Sequence, residues 1–335
     1  MSDPREKLAI ALAVLILTAL GPRAPRLPAQ THPAETTPER RAIAFLAAEV
    51  PKWAGENHCY SCHNNGDAVR ALMAAVKSGE LKDRRPLDDT LRFLALPGRW
   101  DANGPEGPFQ NKQLARIQFA AALIDARASG LTSDRQALAQ AAALVAELAR
   151  DDGSWEIDAP GTLGSPVTYG RALATYMASR TLAAVDPAKY AEALTRTRNW
   201  FERHPPQNLL SAGATLLALA DAGGAAVTAQ RARAMQLVRE GQSPDGGWGP
   251  FVTAAPQAFD TAVVLLALAA QPGPPAERTA IVARGRKYLI ATQEPDGSWP
   301  ATTRPPGAQS YAQQLSTTGW ATQALLATRA KGEKK

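Results

Sequence analysis

The chain has 335 residues, 45% of them hydrophobic but only 6% aromatic, so a core filled mainly by Ala and Leu is expected. This length suits one large domain or two small ones. The net charge of +6 is mildly basic. Because Lys and Arg are scattered and form no stripe, the charge pattern argues against nucleic-acid binding.

The N-terminal segment has the features of an export signal. Leu8–Leu20 is an apolar run of 13 residues, which is short for a membrane span and typical of a signal-peptide core. Ala29 offers a small residue for cleavage. We predict a signal peptide or uncleaved anchor over 1–29, a linker over 30–37 and one domain over 38–330. The domain would then be periplasmic, secreted or anchored on the outer side of the cytoplasmic membrane, with membrane contact only through the N-terminal segment.

A turn sequence recurs three times, each time after an amphipathic helical pattern. The copies are Gln293–Trp299 (QEPDGSW), Gln242–Trp248 (QSPDGGW) and Asp151–Trp155 (DDGSW), and the last lacks the glutamine. The proline ends the helix, and the glycine accepts a positive φ. The glutamine can satisfy backbone groups at the helix end, and the tryptophan packs over the turn. Three copies indicate a repeat protein whose units bury their faces on their neighbours.

The fuller pattern around the clearest copy, Lys287–Trp299, is Lys-aromatic-Leu…Gln…Gly-x-Trp. It resembles the repeat of squalene and oxidosqualene cyclases and, more loosely, that of protein prenyltransferase β subunits. The resemblance covers most of the chain from about residue 38. It implies an all-α toroid with an inner and an outer ring of helices, and it says much less about activity.

From residue 38 the chain divides into six predicted helical hairpins, enough to close an (α/α)6 toroid. One helix of each pair is apolar nearly all round, as expected for a buried inner ring. The predicted outer helices begin near Pro38, Leu87, Ser133, Pro187, Val227 and Glu277. The predicted inner helices begin near Asp67, Leu114, Thr168, Ser211, Asp260 and Thr317. We interpret Asp67, Thr168, Ser211, Asp260 and Thr317 as N-caps.

The only two cysteines, Cys59 and Cys62, form a CxxCH sequence with His63, which is the attachment motif of c-type haem. The two intervening residues let both thiols reach the haem vinyl groups, and the adjacent histidine becomes an axial iron ligand. The motif falls in the turn of the first hairpin, so we predict haem c at one rim of the ring, accessible to a redox partner protein. Met73 is a possible second axial ligand, and an open or water-bound position is the alternative.

Other interpretations of this motif remain open. A Cys59–Cys62 disulfide suits an oxidising compartment, and another bound metal or free thiols are further alternatives. A zinc site needs four ligands, and His58, Cys59, Cys62 and His63 are too close together to bind one ion comfortably. A thioredoxin-like pair would need a βαβ setting, which the pattern does not offer.

The catalytic groups implied by the resemblance are not found. The chain has no Asp-x-Asp-Asp string of the kind that protonates squalene, and Asp260-Thr261-Ala262 has alanine where a prenyltransferase has its zinc-binding cysteine. We therefore predict no catalytic residue. Arg70 and Arg171 lie on otherwise apolar inner helices; a rim position is favoured, and a position facing the cavity would let them meet an anionic ligand.

Three functional hypotheses follow. The first is a haem protein for electron transfer or redox sensing at the cell envelope. The second is a module that holds an isoprenoid or other hydrophobic ligand in the central cavity, with a Cys59–Cys62 disulfide. The third is a squalene-cyclase-like isomerase with an unrecognised catalytic acid.

Overall fold

The computed structural model describes residues 37–104, 111–272, 276–304 and 310–329. Within these ranges all regular secondary structure is helical. The predicted signal peptide and all but the last residue of the predicted linker lie outside the described residues. In the part of the chain that is described, none of the helices is long and apolar enough to cross a membrane.

The described residues contain twelve α-helices, arranged as six pairs of an outer and an inner helix. In chain order the pairs are α1 (Pro38–Asn57) with α2 (Val69–Ser78), α3 (Asp88–Leu94) with α4 (Lys112–Ala128), α5 (Arg135–Ala146) with α6 (Gly170–Val185), α7 (Ala191–Arg203) with α8 (Leu209–Ala218), α9 (Ala225–Glu240) with α10 (Ala258–Ala269), and α11 (Ala276–Ala291) with α12 (Tyr311–Ala327). A π-helical segment, Cys62–Ala68, leads directly into α2, and short 3-10 turns at Arg85–Leu87 and Pro97–Ala102 flank α3.

The inner helices close a ring, because each contacts the next: α2, α4, α6, α8, α10, α12 and again α2. Each inner helix therefore packs against two inner neighbours and one or two outer helices, which explains why its sequence is apolar nearly all round. The predicted all-α, six-hairpin toroid is confirmed.

Eleven of the twelve helices begin within four residues of their predicted starts. The exception is α12, which begins at Tyr311, six residues before Thr317, because Ser310 caps it by accepting a hydrogen bond from Gln313 N–H. The N-cap interpretation of all five residues is wrong, because other residues occupy the cap positions of these helices. Asp67 lies inside the π-helical segment and Asp260 inside α10, and both are fully buried.

The three predicted glycine turns join neighbouring hairpins. Their glycines have φ of 87°, 94° and 95°, and an added Cβ would come within 3.0 Å of the backbone of the next outer helix in the ring. The pairs are Gly153 with Arg196, Gly246 with Arg284, and Gly297 with Arg41. The last pair joins the sixth hairpin to the first. Glycine is required at these positions both for its conformation and for the close approach.

The tryptophan and glutamine of the turn have the predicted roles. Trp248 is fully buried, donates its indole N–H to Val238 O at 2.7 Å, and is bonded through its backbone N–H to a threonine of the inner helix. Gln293 donates its amide to Gly297 O at 3.0 Å and to Pro38 O at 2.9 Å. The glutamine therefore bridges its own turn and the start of α1.

Candidate functional site

The CxxCH segment forms the turn between α1 and α2. His58 adopts a left-handed conformation with φ 53° and ends α1. Ser61 then caps the π-helical segment, since its hydroxyl accepts hydrogen bonds from the N–H groups of His63 at 3.2 Å and Asn64 at 3.4 Å. The histidine of the motif is thereby fixed in the first turn of a helix.

Side chains of the first two hairpins hold the motif backbone. Asn103 accepts a hydrogen bond from Tyr60 N–H at 2.8 Å and donates one to the carbonyl of the same residue. Asn65 is fully buried; it accepts from Ser61 N–H at 3.0 Å and donates to Thr90 Oγ1 at 2.7 Å. Because both amides are bonded through their oxygen and their nitrogen, they hold the cysteine-bearing turn in one defined conformation.

Cys59, Cys62 and His63 line one cavity of about 420 Å³, which we call the rim cavity. It lies at the N-terminal ends of the inner helices, because the first residue of α4, Lys112, also lines it. Its aromatic lining residues are Trp53, Tyr60, Trp100 and Phe119. Its volume falls within the range of roughly 300–1,000 Å³ seen for ligand and cofactor pockets.

Ring contacts fix the aromatic walls of the rim cavity. Tyr60 stacks on Phe93 with ring centroids 4.1 Å apart, and Phe93 meets Phe119 edge-on at 5.0 Å. Trp53 stacks on Tyr311 of α12 at 5.8 Å. Flat aromatic surfaces held in this way suit a planar apolar ligand.

His63 is oriented by a hydroxyl of α12. Its Nδ1 lies 3.0 Å from Oγ of Ser316, which is fully buried. With the proton on Nδ1, the imidazole donates this hydrogen bond and Nε2 keeps a lone pair, the arrangement common in metal-ligating histidines. Desolvation lowers the pKa of His63 to about 4. Burial, reinforced by the charge of Asp67, raises the pKa of the Cys62 thiol to about 12.

The residues present fit a haem attached through two thiols. Both cysteines are half-buried with unpaired thiols, and both share the rim cavity with His63. Met73 is fully buried in α2 and is not among the described residues that line this cavity. Its role as second axial ligand stays a prediction. Over the described ranges, no group of three or more His, Cys, Asp or Glu side chains is arranged to hold a metal ion.

Asp67 is the centre of a polar cluster in the middle of the ring. It accepts hydrogen bonds from the Tyr169 hydroxyl, from Gln118 Nε2 at 2.8 Å and from Trp320 Nε1 at 3.2 Å. Tyr169 has a φ of 59°, which is uncommon for a bulky residue and indicates a constrained position. Burial raises the pKa of Asp67 to about 6.

Sequence reasoning missed this cluster, although one local signal pointed to it. Asp67 is followed three residues later by Arg70 on an otherwise apolar helix, and Arg70 Nη1 lies 3.6 Å from Asp67 Oδ1. A charged pair at this spacing shares one helix face, and on an inner helix that face is buried.

Arg70 and Arg180 share one carboxylate in a second cavity, of about 250 Å³, which we call the central cavity. Arg70 Nε donates to Asp125 Oδ2 at 2.7 Å, and Arg180 pairs with the other oxygen. The rim position favoured for Arg70 is therefore wrong. Arg171 does lie near the rim, where it bonds Ser154 and Asp152.

Asp260 forms a buried ion pair with Arg304, which also donates to Gln257 Oε1 at 2.6 Å. Burial raises the pKa of Asp260 to about 6 despite this partner. Asp260, which by the prenyltransferase resemblance would belong to a zinc site, therefore links α10 to the segment that precedes α12.

The model of the squalene–hopene cyclase C-terminal domain matches residues 210–335. The ligand-free type II terpene cyclase MstE from Scytonema aligns over 87% of this chain and 98% of its own, with 16% identity and a TM-score of 0.55. A possible GH105-family member from Klebsiella pneumoniae aligns over 92% and 98%, with 11% identity and a TM-score of 0.58. A polysaccharide lyase aligns over 87% and 97%, with 12% identity and a TM-score of 0.53. Comparison with curated protein sequences gives no significant match.

These likenesses concern the fold, because proteins named for different chemistries share it at low identity. The helical ring, the glycine–tryptophan turns and the matches agree with one another. The described part of the chain is an all-helical α/α toroid of the squalene cyclase-like type, a fold shared with a protein named as a polysaccharide lyase.

Proposed function

We propose that the protein carries a covalently attached c-type haem in the rim cavity and serves in electron transfer or redox sensing outside the cytoplasm. One observation carries the proposal: the two thiols and the imidazole of CxxCH line the same aromatic-walled cavity. On its own, the motif shows only that two cysteines and a histidine lie close together in the sequence. The cavity adds room for a planar ring beside them.

The chain's own residues would hold the haem in defined ways. Each thiol would add across a vinyl double bond, sulfur to one carbon and hydrogen to the other, so that no oxidant is consumed. His63 would offer Nε2 to the iron while Ser316 holds Nδ1. When bound, the haem supplies one-electron chemistry at its iron.

The proposal includes location and partner. The apolar segment within residues 1–29 would direct the domain to the periplasm, the exterior or the outer side of the cytoplasmic membrane. Cys59 and Cys62 are half-buried, which would leave one edge of the haem near the surface. Electron exchange with a redox partner protein would take place through that edge.

The test is expression of the full chain with a periplasmic haem-maturation system, followed by haem staining of a denaturing gel. The wild type is expected to stain, and a Cys59→Ala/Cys62→Ala double variant is expected not to. His63→Ala should keep the covalent stain and change the absorption spectrum, because only the axial ligand is lost. His58→Ala, an exposed neighbour, is the matched control and should leave both unchanged.

An unstained wild-type band would refute the haem proposal. A protein lighter than its polypeptide by two hydrogens would instead support the Cys59–Cys62 disulfide and the ligand-binding module. The central cavity does not favour a purely hydrophobic ligand for that module, because charged groups of Arg70, Asp125 and Arg180 line it.

A second candidate function is a squalene-cyclase-like isomerase, favoured by the buried carboxyl of Asp67. A carboxyl whose pKa is raised to about 6 is partly protonated near neutral pH and can act as a general acid. Within the described residues, however, Asp67 lines neither cavity. Incubation with squalene tests the idea: a cyclic product that disappears in Asp67→Asn would establish it, and the absence of product with the wild type would remove it.

A further inference from the structure

The central cavity lies toward the opposite ends of the inner helices from the rim cavity. Helix α4 shows this, since Lys112 at its start lines the rim cavity and Ala128 at its end lines the central cavity. A helix of 17 residues is about 25 Å long. The central cavity is therefore a separate site, and the proposed haem does not occupy it.

The charges that line the central cavity do not balance. Three cations, Arg70, Lys77 and Arg180, face a single lining carboxylate, Asp125. Both oxygens of Asp125 are already used by the two arginines. Asp67, which does not line the cavity, forms a second and longer ion pair with Arg70, 3.6 Å from its Nη1, and the residues that line the cavity still carry more positive than negative charge.

The two guanidinium groups also have unused donors. Arg70 is only 5% exposed. Among the residues that the structure describes, neither its Nη1 nor that of Arg180 has a hydrogen-bond acceptor. A buried donor without an acceptor is unfavourable. An additional anion in the cavity would be attracted by the excess positive charge of the lining residues. It would also accept hydrogen bonds from the guanidinium groups that line the cavity.

Stabilisation of helix ends does not explain these arginines. Cations are favourable in the last turn of a helix, and Lys77 in the last turn of α2 fits that role. Arg70, by contrast, is the second residue of α2, and Arg180 lies well inside α6. Both are held by Asp125 with their charges directed to the same small space.

We propose that the central cavity binds a small organic anion with one oxyanion head group, a carboxylate or a phosphate. The head would pair with Arg70 and Arg180, because the planar guanidinium fork matches both kinds of oxyanion. The apolar body would pack against Leu266, Met177 and Trp320, which line the rest of the cavity. A volume of about 250 Å³ is just below the usual range of roughly 300–1,000 Å³ for ligand pockets, so the ligand is small.

The test is calorimetric titration of the purified full chain with benzoate, phenyl phosphate, inorganic phosphate and the neutral isostere benzamide. Saturable binding of benzoate or phenyl phosphate is expected, with benzamide at least about tenfold weaker, since charge-assisted hydrogen bonds are the strong ones. Arg180→Gln should weaken binding about tenfold or more. Arg127→Gln is the matched control: this arginine is exposed near the end of α4, bonds Ala184 O and does not line the cavity.

The outcomes separate the head groups and decide the proposal. Binding of benzoate alone assigns a carboxylate head, and binding of phenyl phosphate or inorganic phosphate alone assigns a phosphate head; either supports the site. If Arg180→Gln fails to fold, Lys77→Gln replaces an exposed lining cation and should weaken binding several-fold. Absence of saturable binding by every anion at millimolar concentration would overturn the proposal, as would equal weakening in Arg127→Gln.

Discussion

Replacing Gly246 by alanine perturbs the contact that repeats around the ring. Gly246 has a φ of 94°, and a Cβ there would lie 2.8 Å from the carbonyl carbon of Arg284 and closer still to its oxygen. A left-handed conformation costs an alanine roughly 1–2 kcal/mol. Forcing a methyl group against a packed backbone adds about 1–3 kcal/mol. We therefore expect a loss of about 2–5 kcal/mol, a large part of a typical stability of about 5–15 kcal/mol.

The assay is urea unfolding followed by circular dichroism, with two control variants that separate the contributions. Gly130 has a φ of 69° with nothing within 4 Å of an added Cβ, so Gly130→Ala should show only the conformational loss of about 1–2 kcal/mol. Gly98 has open space and no positive φ, so Gly98→Ala should be near neutral. If Gly246→Ala loses no more stability than Gly130→Ala, the close approach to the next helix is not what requires glycine.

Three further changes test other parts of the structure. Gln293→Met should lower the free energy of unfolding by about 1–3 kcal/mol, because two backbone carbonyls lose their donor; Gln236→Met, which removes one exposed bond to a glutamate, should have little effect, and equal losses would contradict the bridging role. Burial raises the pKa of Asp260 to about 6, above its unfolded value of about 3.9. The folded state thus binds more protons, and stability should fall by up to about 3 kcal/mol as pH rises from about 4 to about 6. A pH series of unfolding curves should show this slope reduced in Asp260→Asn, and an unchanged slope would contradict the assignment. In the haem-loaded protein, Ser316→Ala should shift the midpoint potential by removing the hydrogen bond to His63, with Ser316→Thr restoring it; an unaltered potential in spectroelectrochemical titration would contradict that role.

The fold could be predicted from the sequence because the repeating turn is a short, local sequence pattern. Gly246 and Trp248 lie two residues apart, and their conformational and packing requirements follow from residue type alone. The count of six hairpins followed from the same turn and from the apolar inner helices. The start of α12 was missed because the Ser310 cap precedes a polar first turn, which hid the helix until its apolar part began.

The N-cap interpretations failed for a different reason. An aspartate just before an apolar helical run is a good cap when it is exposed. Asp67 and Asp260 have that spacing, but both are completely buried and bonded to side chains that arrive from elsewhere in the ring. Only burial distinguishes the two cases, and burial at the ring centre depends on all six hairpins being in place.

The two cavities differ in how far the sequence could reveal them. Cys59, Cys62 and His63 lie within five residues, so their proximity at the rim cavity follows from the motif and the hairpin turn. The central cavity brings together Arg70, Asp125 and Arg180, which follow one another at intervals of 55 residues. No local pattern encodes such a meeting, and the placement of Arg70 inside the ring became visible only with the closed fold.

The central claim is that the ring bears a haem tethered through two sulfurs, and the most direct test is the intact mass of the purified protein. The protein should be made with its N-terminal segment in a host that exports it and matures c-type haem. The account predicts the mass of the processed polypeptide plus one haem, together with a red protein. A colourless protein whose mass equals that of the polypeptide alone, or that mass less two hydrogens, would contradict it.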